Sequence, residues 1–321
     1  MTACVRWGVL STARINDRLL AGIAAAPESE ALAVASRDGE RARRYAARHE
    51  IARAYAGYEA LLADPDVDAV YISLPNGLHA EWTLRALEAG KHVLCEKPLS
   101  RSAAQAASLF DAAEHAGRLL SEAFMYRHHP QTRRLAELVA AGTVGSLRLI
   151  RASFSFPLSD PRDVRLSAAL HGGALMDVGC YCVSAARLLA GEPARVTGWQ
   201  QTGGDGVDTT FVGVLEHERG VLTHFDAGLN LGPRHELELV GDEASLFVAD
   251  PWLCNRPGIE VRGGGEAEHV AVEAVDPYRL EVQDMAAAIR GEREPLLGRD
   301  DAVAQAWALE ALYEAAGARR L

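Results

Sequence analysis

Residues 4–122 alternate between two textures, and few folds accept that alternation. Short apolar, β-rich runs occur at 4–10, 31–36, 69–74, 92–95 and 119–122. Between them lie stretches of helical period rich in Ala, Arg and Glu, at 13–26, 39–50, 59–63, 78–89 and 103–116. Repeated strand–helix–strand units predict right-handed crossovers and a parallel sheet covered on both faces. The runs are continuously apolar, as strands buried on both faces must be. Gly90 and Gly117 follow two of the helical stretches, where a glycine lets the chain leave a helix.

Beyond residue 123 the pattern changes. Helical stretches are expected at 131–140, 174–189, 278–290 and 301–316, and extended runs at 146–156, 194–201, 208–217, 220–228, 235–240, 245–248, 258–262 and 269–272. In Glu236, Leu237, Glu238 and Leu239 polar and apolar residues alternate, which gives a sheet one buried face and one open to solvent or a partner. The fold class is therefore α/β. A Rossmann-type, doubly wound parallel sheet is expected over residues 1–122, for dinucleotide binding. An α+β domain with a large, mostly antiparallel open sheet is expected over 123–321, for substrate binding and oligomerisation.

Composition narrows the partners. The 321 residues carry a net charge of −11 and are 49% apolar. Such a chain has material for two cores and no overall attraction to nucleic acid or anionic membranes. No targeting segment is visible at the N-terminus, and no apolar run approaches the ~18–20 residues of a membrane span. The five cysteines (Cys4, Cys95, Cys180, Cys182 and Cys254) form no C-x-x-C pair. They read as reduced thiols, in keeping with a cytoplasmic location. His128 and His129 are adjacent and cannot face one ion from a helix, so no metal is expected.

Four strand ends or helix starts carry candidate chemistry. The first run leads into Ser11-Thr12-Ala13-Arg14-Ile15, where a dinucleotide fold places its phosphate-binding turn against a helix N-terminus. Ser11 and Ala13 stand where glycines are usual, and both are small. The second run ends at Ser36-Arg37-Asp38. A hydroxyl followed by a guanidinium suits a ribose 2′-phosphate and favours NADP(H). Asp38 is the alternative, either as a helix N-cap or as the acid that would bind the ribose of NAD(H). Leu74-Pro75-Asn76-Gly77-Leu78-His79 ends the third run. Asn76 is expected to cap a helix beside the ligand crevice, and His79 to start that helix. The fourth run passes directly into Glu96-Lys97-Pro98. Nothing in folding requires a lysine there, and proline fixes the backbone that aims it. Far along the chain, His171-Gly172-Gly173 precedes Asp177 and Tyr181, which are four apart and share one helix face. Gly179 between them implies a close approach.

Together these strings resemble the Gfo/Idh/MocA oxidoreductases (glucose-fructose oxidoreductase, inositol dehydrogenase and relatives). The likeness spans essentially the whole chain. It rests on residues 6–15 (RWGVLSTARI), 74–100 (LPNGLHAEWTLRALEAGKHVLCEKPLS), 122–130 (EAFMYRHHP) and 172–181 (GGALMDVGCY). The nearest texture is the branch of dimeric dihydrodiol dehydrogenases and NADP-dependent D-xylose dehydrogenases. The resemblance implies that Lys97 is the active-site lysine, in a Lys97–Pro98 bond often cis in relatives. It implies that Asp177 orients substrate and that Tyr181 replaces the histidine of many members. It places Ser11, Thr12, Ala13, Arg14, Ile15, Ser36, Arg37, Leu74, Pro75, Asn76, His79, Glu96 and Lys97 around the cofactor. The chain departs from the family at Ser11 and Ala13, at His171 before the glycine pair, and at Tyr126 where Trp is frequent.

The expected activity is hydride transfer between a nicotinamide and a sugar or polyol-like alcohol, with NADP(H) favoured and NAD(H) the alternative. Tyr181 would take the hydroxyl proton. A tyrosine ordinarily ionises near pH ~10, so the Lys97 ammonium would have to favour the phenolate. Asp177 would hold a substrate hydroxyl. Arg127 and Arg165 are candidates for the substrate wall, with surface ion pairing the alternative for each. Other readings are a dihydrodiol dehydrogenase, a keto-sugar reductase, or a non-catalytic dinucleotide sensor, against which the joint presence of Lys97 and Tyr181 argues. A homodimer or homotetramer through the C-terminal sheet is expected.

Overall fold

The first strand, β1 (Val5–Leu10), carries Trp7, Val9 and Leu10 at 0% exposure. A strand apolar on both faces belongs in the middle of a covered sheet. The computed structural model, which describes residues 4–317, places it there. After β1 come α1 (Asn16–Ala24), β2 (Ser29–Ser36), α2 (Gly39–Arg48), β3 (Arg53–Ala56) and α3 (Tyr58–Leu62). Then follow β4 (Ala69–Ile72), α4 (His79–Glu88), β5 (His92–Glu96), α5 (Ala103–Ala116) and β6 (Leu120–Ala123). The six strands are all parallel, in the order β3-β2-β1-β4-β5-β6. In this doubly wound arrangement the strand order reverses beside β1, and ligands bind at the carboxyl ends there. Strand β3 has no counterpart among the expected runs. Its residues, RAYA, continue the texture of α2. Arg53 ties it to Asp64 and Asp66, each at 2.7 Å, in place of deep apolar burial.

The second sheet is built from β7 (Leu147–Ser155), which follows α6 (Pro130–Ala140), and from the strands after α7 (Cys180–Ala190). These are β8 (Pro193–Thr202), β9 (Asp208–His217), β10 (Leu222–Gly228), β11 (Arg234–Gly241), β12 (Ser245–Val248), β13 (Ile259–Arg262) and β14 (Glu268–Val270). The order is β14-β13-β12-β11-β7-β10-β9-β8. Every neighbouring pair is antiparallel except β7 with β10. This is the expected mostly antiparallel sheet. Phe211, Leu215, Phe225, Leu237 and Leu239 are buried on one side, whereas Trp199 and Val212, cross-strand partners, are exposed on the other. One correction concerns the absence of a span-length apolar run. Ala168–Ala190 is long and apolar enough to cross a membrane by composition, but 78% of its most apolar window is buried as the core helix of this unit.

Two helices close the chain, α8 (Pro277–Ile289) and α9 (Arg299–Ala315). One unit comprises the residues through Met125 together with Asp276–Val303. The other comprises Tyr126–Val275 and the residues from Ala304 on. The sequence pattern puts one boundary at residue 122 and carries no sign that a later helix returns to the first unit. Helix α8 lies against α1 at Gly22, where a Cβ would stand 2.8 Å from both the Arg279 nitrogen and the Tyr278 carbonyl carbon. Only a glycine lets the two backbones approach so closely.

The turn after β1 fixes the geometry of the ligand end. Ser11 has φ of 118°, a conformation natural to the glycine it replaces and costing a side-chain-bearing residue about 1–3 kcal/mol. Its hydroxyl offsets that strain. Ser11 Oγ lies 2.8 Å from Ser73 Oγ and 3.1 Å from the Ser73 carbonyl oxygen, and it accepts the Ala13 N–H at 3.1 Å. The buried Asn16 amide donates to the Ser11 carbonyl at 3.0 Å. Ser11→Ala keeps the strained backbone and removes the hydroxyl, so it should cost about 1–2 kcal/mol. Ser11→Gly should cost less, because it also releases the strain. Urea denaturation of the two variants checks that order.

Candidate active site

At the carboxyl end of β2 the chain sorts a carboxylate from its arginines. Asp38 is the N-cap of α2, accepting the Glu40 N–H at 2.9 Å and the Arg41 N–H at 3.2 Å. Hydrogen bonds from the Arg41 and Glu40 N–H groups hold its carboxyl below the usual range. One of its oxygens, Oδ1, is thus committed to the helix, as the N-cap reading expected. Ser36 is buried, and its hydroxyl accepts the Asp38 N–H at 3.3 Å, which leaves its hydrogen to donate elsewhere. Beside this strand end lies a cavity of about 400 Å³ lined by Thr12, Ala13 and Arg14 from the first turn, Asp17 from α1, and Arg41, Arg44, Tyr45 and Arg48 from α2. Two of these arginines face acids: Arg44 is 3.5 Å from Glu40 and Arg48 is 3.8 Å from Asp17. Among the described residues neither Arg14 nor Arg41 forms an ion pair. A cavity with guanidinium groups free to bind is suited to a phosphate. The donor set therefore fits a dinucleotide bearing an adenosine ribose phosphate. Arg41, Arg44 and Arg48 were not among the sequence candidates. Their signal was present: they recur at helical spacing after Arg37, on the exposed side of α2.

The ends of β4 and β5 are stapled together by His79. Its buried ring lies between two main-chain carbonyls, Nδ1 at 2.9 Å from Pro98 O and Nε2 at 2.7 Å from Leu74 O. Both oxygens are acceptors, so the arrangement is complete when both ring nitrogens carry hydrogen. The side chain named for cofactor contact thus holds the Leu74-Pro75 turn against the Lys97-Pro98 turn. Asn76 does not cap a helix as expected. It opens a short 3₁₀ turn, Asn76–Leu78, and α4 begins at His79 without a side-chain cap. The Lys97–Pro98 peptide is cis. On one side of it, Tyr71 Oη donates to Glu96 Oε1. On the other, the Leu99 N–H donates to Glu122 Oε1 at 2.7 Å. The lysine therefore sits on a backbone gripped on both flanks.

In the second unit the glycine pair is set by close approach. A Cβ on Gly172 would stand 2.3 Å from the Arg165 carbonyl oxygen, and one on Gly173, with φ of 123°, would stand 2.1 Å from Asp208 Oδ1. Asp208 anchors the next turn. It accepts the Leu175 N–H at 2.6 Å and the Tyr313 hydroxyl at 2.8 Å. That turn, Leu175–Gly179, is π-helical, a form that recurs at functional sites. It carries Asp177 and runs into α7, which carries Tyr181. Gly179 meets β10 there, with Ala227 Cβ 3.2 Å from where its own Cβ would be. The structure brings Asp177 and Arg165 together, Oδ2 to Nε at 2.9 Å, and Arg165 also reaches Asp163 at 3.2 Å. The Asp177 and Asp163 carboxylates raise the Arg165 pKa, with burial acting against them. Tyr181 is 7% exposed, and its ring packs against Phe154 at 5.3 Å, Tyr126 at 5.7 Å and Trp252 at 6.1 Å. Arg127 reaches Ser184 Oγ at 3.2 Å, the same oxygen that accepts the Tyr126 hydroxyl at 2.8 Å. Phe154, Trp252 and Asp208 were not foreseen, because each reaches the site from a strand or loop distant in sequence.

Known proteins resemble the chain over nearly its whole length. Residues 5–124 match the oxidoreductase family model with the NAD-binding Rossmann fold, and residues 132–247 match the Gfo/Idh/MocA C-terminal domain. The chain is 42% identical to a D-xylose 1-dehydrogenase (NADP(+)) of Haloferax volcanii, over 97% of both chains. It is 37% identical to a trans-1,2-dihydrobenzene-1,2-diol dehydrogenase of Xenopus laevis, over 66% of this chain and 65% of the other. The crystal structure of a 3-ketoreductase from Actinomadura kijaniata in complex with NADP and TDP-benzene superposes with a TM-score of 0.91 at 35% identity, covering 98% of each chain. The chain belongs to the Gfo/Idh/MocA family of oxidoreductases.

Proposed function

We propose that the protein is an NADP(H)-dependent oxidoreductase acting on a sugar or polyol-like alcohol, in the cytoplasm, where its five free thiols stay reduced. The observation that carries this reading is identity at 42% across 97% of the chain with an NADP-dependent D-xylose dehydrogenase. A second reading, reduction of a keto-sugar nucleotide, is favoured by the likeness to the 3-ketoreductase crystallised with a TDP ligand. Both use the same chemistry.

Ser36, Arg37, Arg14 and Arg41 would hold the phosphorylated ribose, and the backbone from Thr12 to Ile15, at the start of α1, would bind the pyrophosphate. A bound nicotinamide would supply the acceptor or donor of the hydride. Tyr181 exchanges the hydroxyl proton of the substrate, its ring fixed by Phe154, Tyr126 and Trp252. Lys97 supplies the positive charge that favours the phenolate in oxidation and steadies the nascent alkoxide in reduction. Asp177, held by Arg165, accepts a hydrogen bond from a neighbouring substrate hydroxyl.

The open face of the second sheet is the oligomerisation surface in this proposal, with a second copy of the chain as its occupant. Trp199, at 61% exposure, lies beside Val212 on that face. A groove of about 280 Å³ lined by Arg151, His224, Asp226, Arg234, Glu236 and Glu238 offers both signs of charge for a self-complementary contact.

Tyr181→Phe should lower kcat by about 100- to 10,000-fold and leave NADPH affinity unchanged, as read by steady-state kinetics and nucleotide fluorescence titration. Arg41→Ala should weaken NADPH binding by about 10- to 100-fold, one charge-assisted hydrogen bond, and leave NADH binding unaltered. Light scattering should give the mass of at least a dimer, reduced to the monomer by Trp199→Asp.

A further inference from the structure

Glu281 on α8 is 1% exposed, and its Oε1 is buried without a hydrogen-bond partner. A lone carboxylate in such a place is among the most costly groups a fold can bury. Its surroundings make ionisation worse. From β4 comes Tyr71, at 0% exposure, whose hydroxyl donates to Glu96. From β5 comes Glu96 itself. From its own helix come Tyr278 and Asp284, with the capping Asp276 before them. Arg279 is the neighbouring cation in sequence, and its buried Nε has no partner. The buried residues of α1, which packs on α8, are Asn16, Leu19, Leu20, Gly22 and Ile23, and none titrates. The buried stretch of β2, Leu32–Ser36 in sequence, contributes none either. Burial first, and the carboxylates of Glu96, Asp284 and Asp276 after it, push the Glu281 carboxyl well above the usual range. Burial and Glu96 likewise keep Tyr71 protonated, so Tyr71 is the donor and Glu96 the acceptor.

We propose that Glu281 and Glu96 hold one negative charge between them, with Glu281 kept as the neutral acid and Glu96 as the carboxylate that receives the Tyr71 hydrogen. Glu281 is then a positioning residue for Lys97, which follows Glu96 directly. While Glu281 keeps its proton, Glu96 stays clamped to Tyr71 and the strand end before the lysine is fixed. When Glu281 loses that proton, its buried carboxylate repels that of the half-buried Glu96 and the clamp gives way. The role assigned to Lys97 comes from the proposed function, whereas the shared charge is testable without turnover.

An acid that holds its proton more tightly folded than unfolded takes up a proton on folding between the two pKa values. Its contribution to stability is complete below about pH 4.3, the ordinary Glu value, and is lost as pH rises toward the folded value. The test compares wild type with Glu281→Gln, which mimics the neutral acid; Glu281→Leu serves the same comparison should Glu281→Gln not fold. In urea denaturation from pH 5 to pH 8, the wild-type folding constant should fall by up to tenfold per pH unit relative to the variant, the signature of one proton. At neutral pH the infrared carbonyl stretch of a protonated carboxyl should be present in wild type and lost in the variant. The alkaline limb of kcat/KM should move to higher pH in the variant. Parallel stability profiles, or a protonated-carboxyl band that is absent from wild type or survives in the variant, would overturn the shared charge. An unmoved alkaline limb with the other two results as expected would overturn the positioning of Lys97. Absence of any turnover, with the same two results intact, would count against the proposed function alone.

Discussion

A parallel sheet buried on both faces leaves polar side chains almost nowhere to go, and the rest of this molecule follows from that restriction. Val70, Tyr71 and Ile72 of β4 and Val93, Leu94 and Cys95 of β5 are at most 1% exposed. Side chains able to meet a ligand can emerge only where the strands stop. The turns after β1, β2, β4 and β5 are accordingly where the chain departs from ordinary loop chemistry. Ser11 takes a glycine conformation, Asp38 caps a helix among arginines, His79 bridges two carbonyls, and Lys97 precedes a cis proline. The Ser11 hydroxyl, the Asp38 carboxylate and the His79 ring each meet backbone groups there that no neighbouring strand pairs with.

This concentration explains why much of the site could be read from sequence. A continuous apolar run broken by Glu96, Lys97 and Pro98 has no reason in packing, so the lysine stands out in the sequence itself. The strands of the second sheet were legible because a one-sided sheet alternates, and β9 and β12 fall within the expected runs. The parallel pairing of β7 with β10 was not legible, because strand order is a property of distant partners rather than of local pattern. Nor was β3, four residues long and secured by arginine–aspartate pairs, since such an edge strand needs no apolar signature. The return of α8 to the first unit left one trace, Gly22, whose meaning appears only once Tyr278 is seen against it.

The two units illustrate different ways of fixing a functional side chain. In the first, backbone geometry is held by hydrogen bonds between turns, and the reactive group rides on it. In the second, Asp177 is held by an ion pair and Tyr181 by aromatic packing, while Asp208 secures the start of their helix from two directions. Packing of Phe154, Tyr126 and Trp252 limits the phenol ring to a narrow set of orientations. A site held this way tolerates little change in the volume of its neighbours.

Asp38 has a consequence for how such a protein can change its cofactor. A fold that discriminates between the two nicotinamide nucleotides by an acid at the second strand end could seemingly switch by freeing this residue to meet ribose hydroxyls. Here the same carboxylate secures the first turn of α2. Turning this residue toward the unphosphorylated nucleotide would therefore cost the first turn of the helix that carries Arg41, Arg44 and Arg48 about 0.5–2 kcal/mol, unless a substitute cap arose first. Evolutionary access to the alternative cofactor is in this way gated by secondary-structure integrity rather than by binding alone.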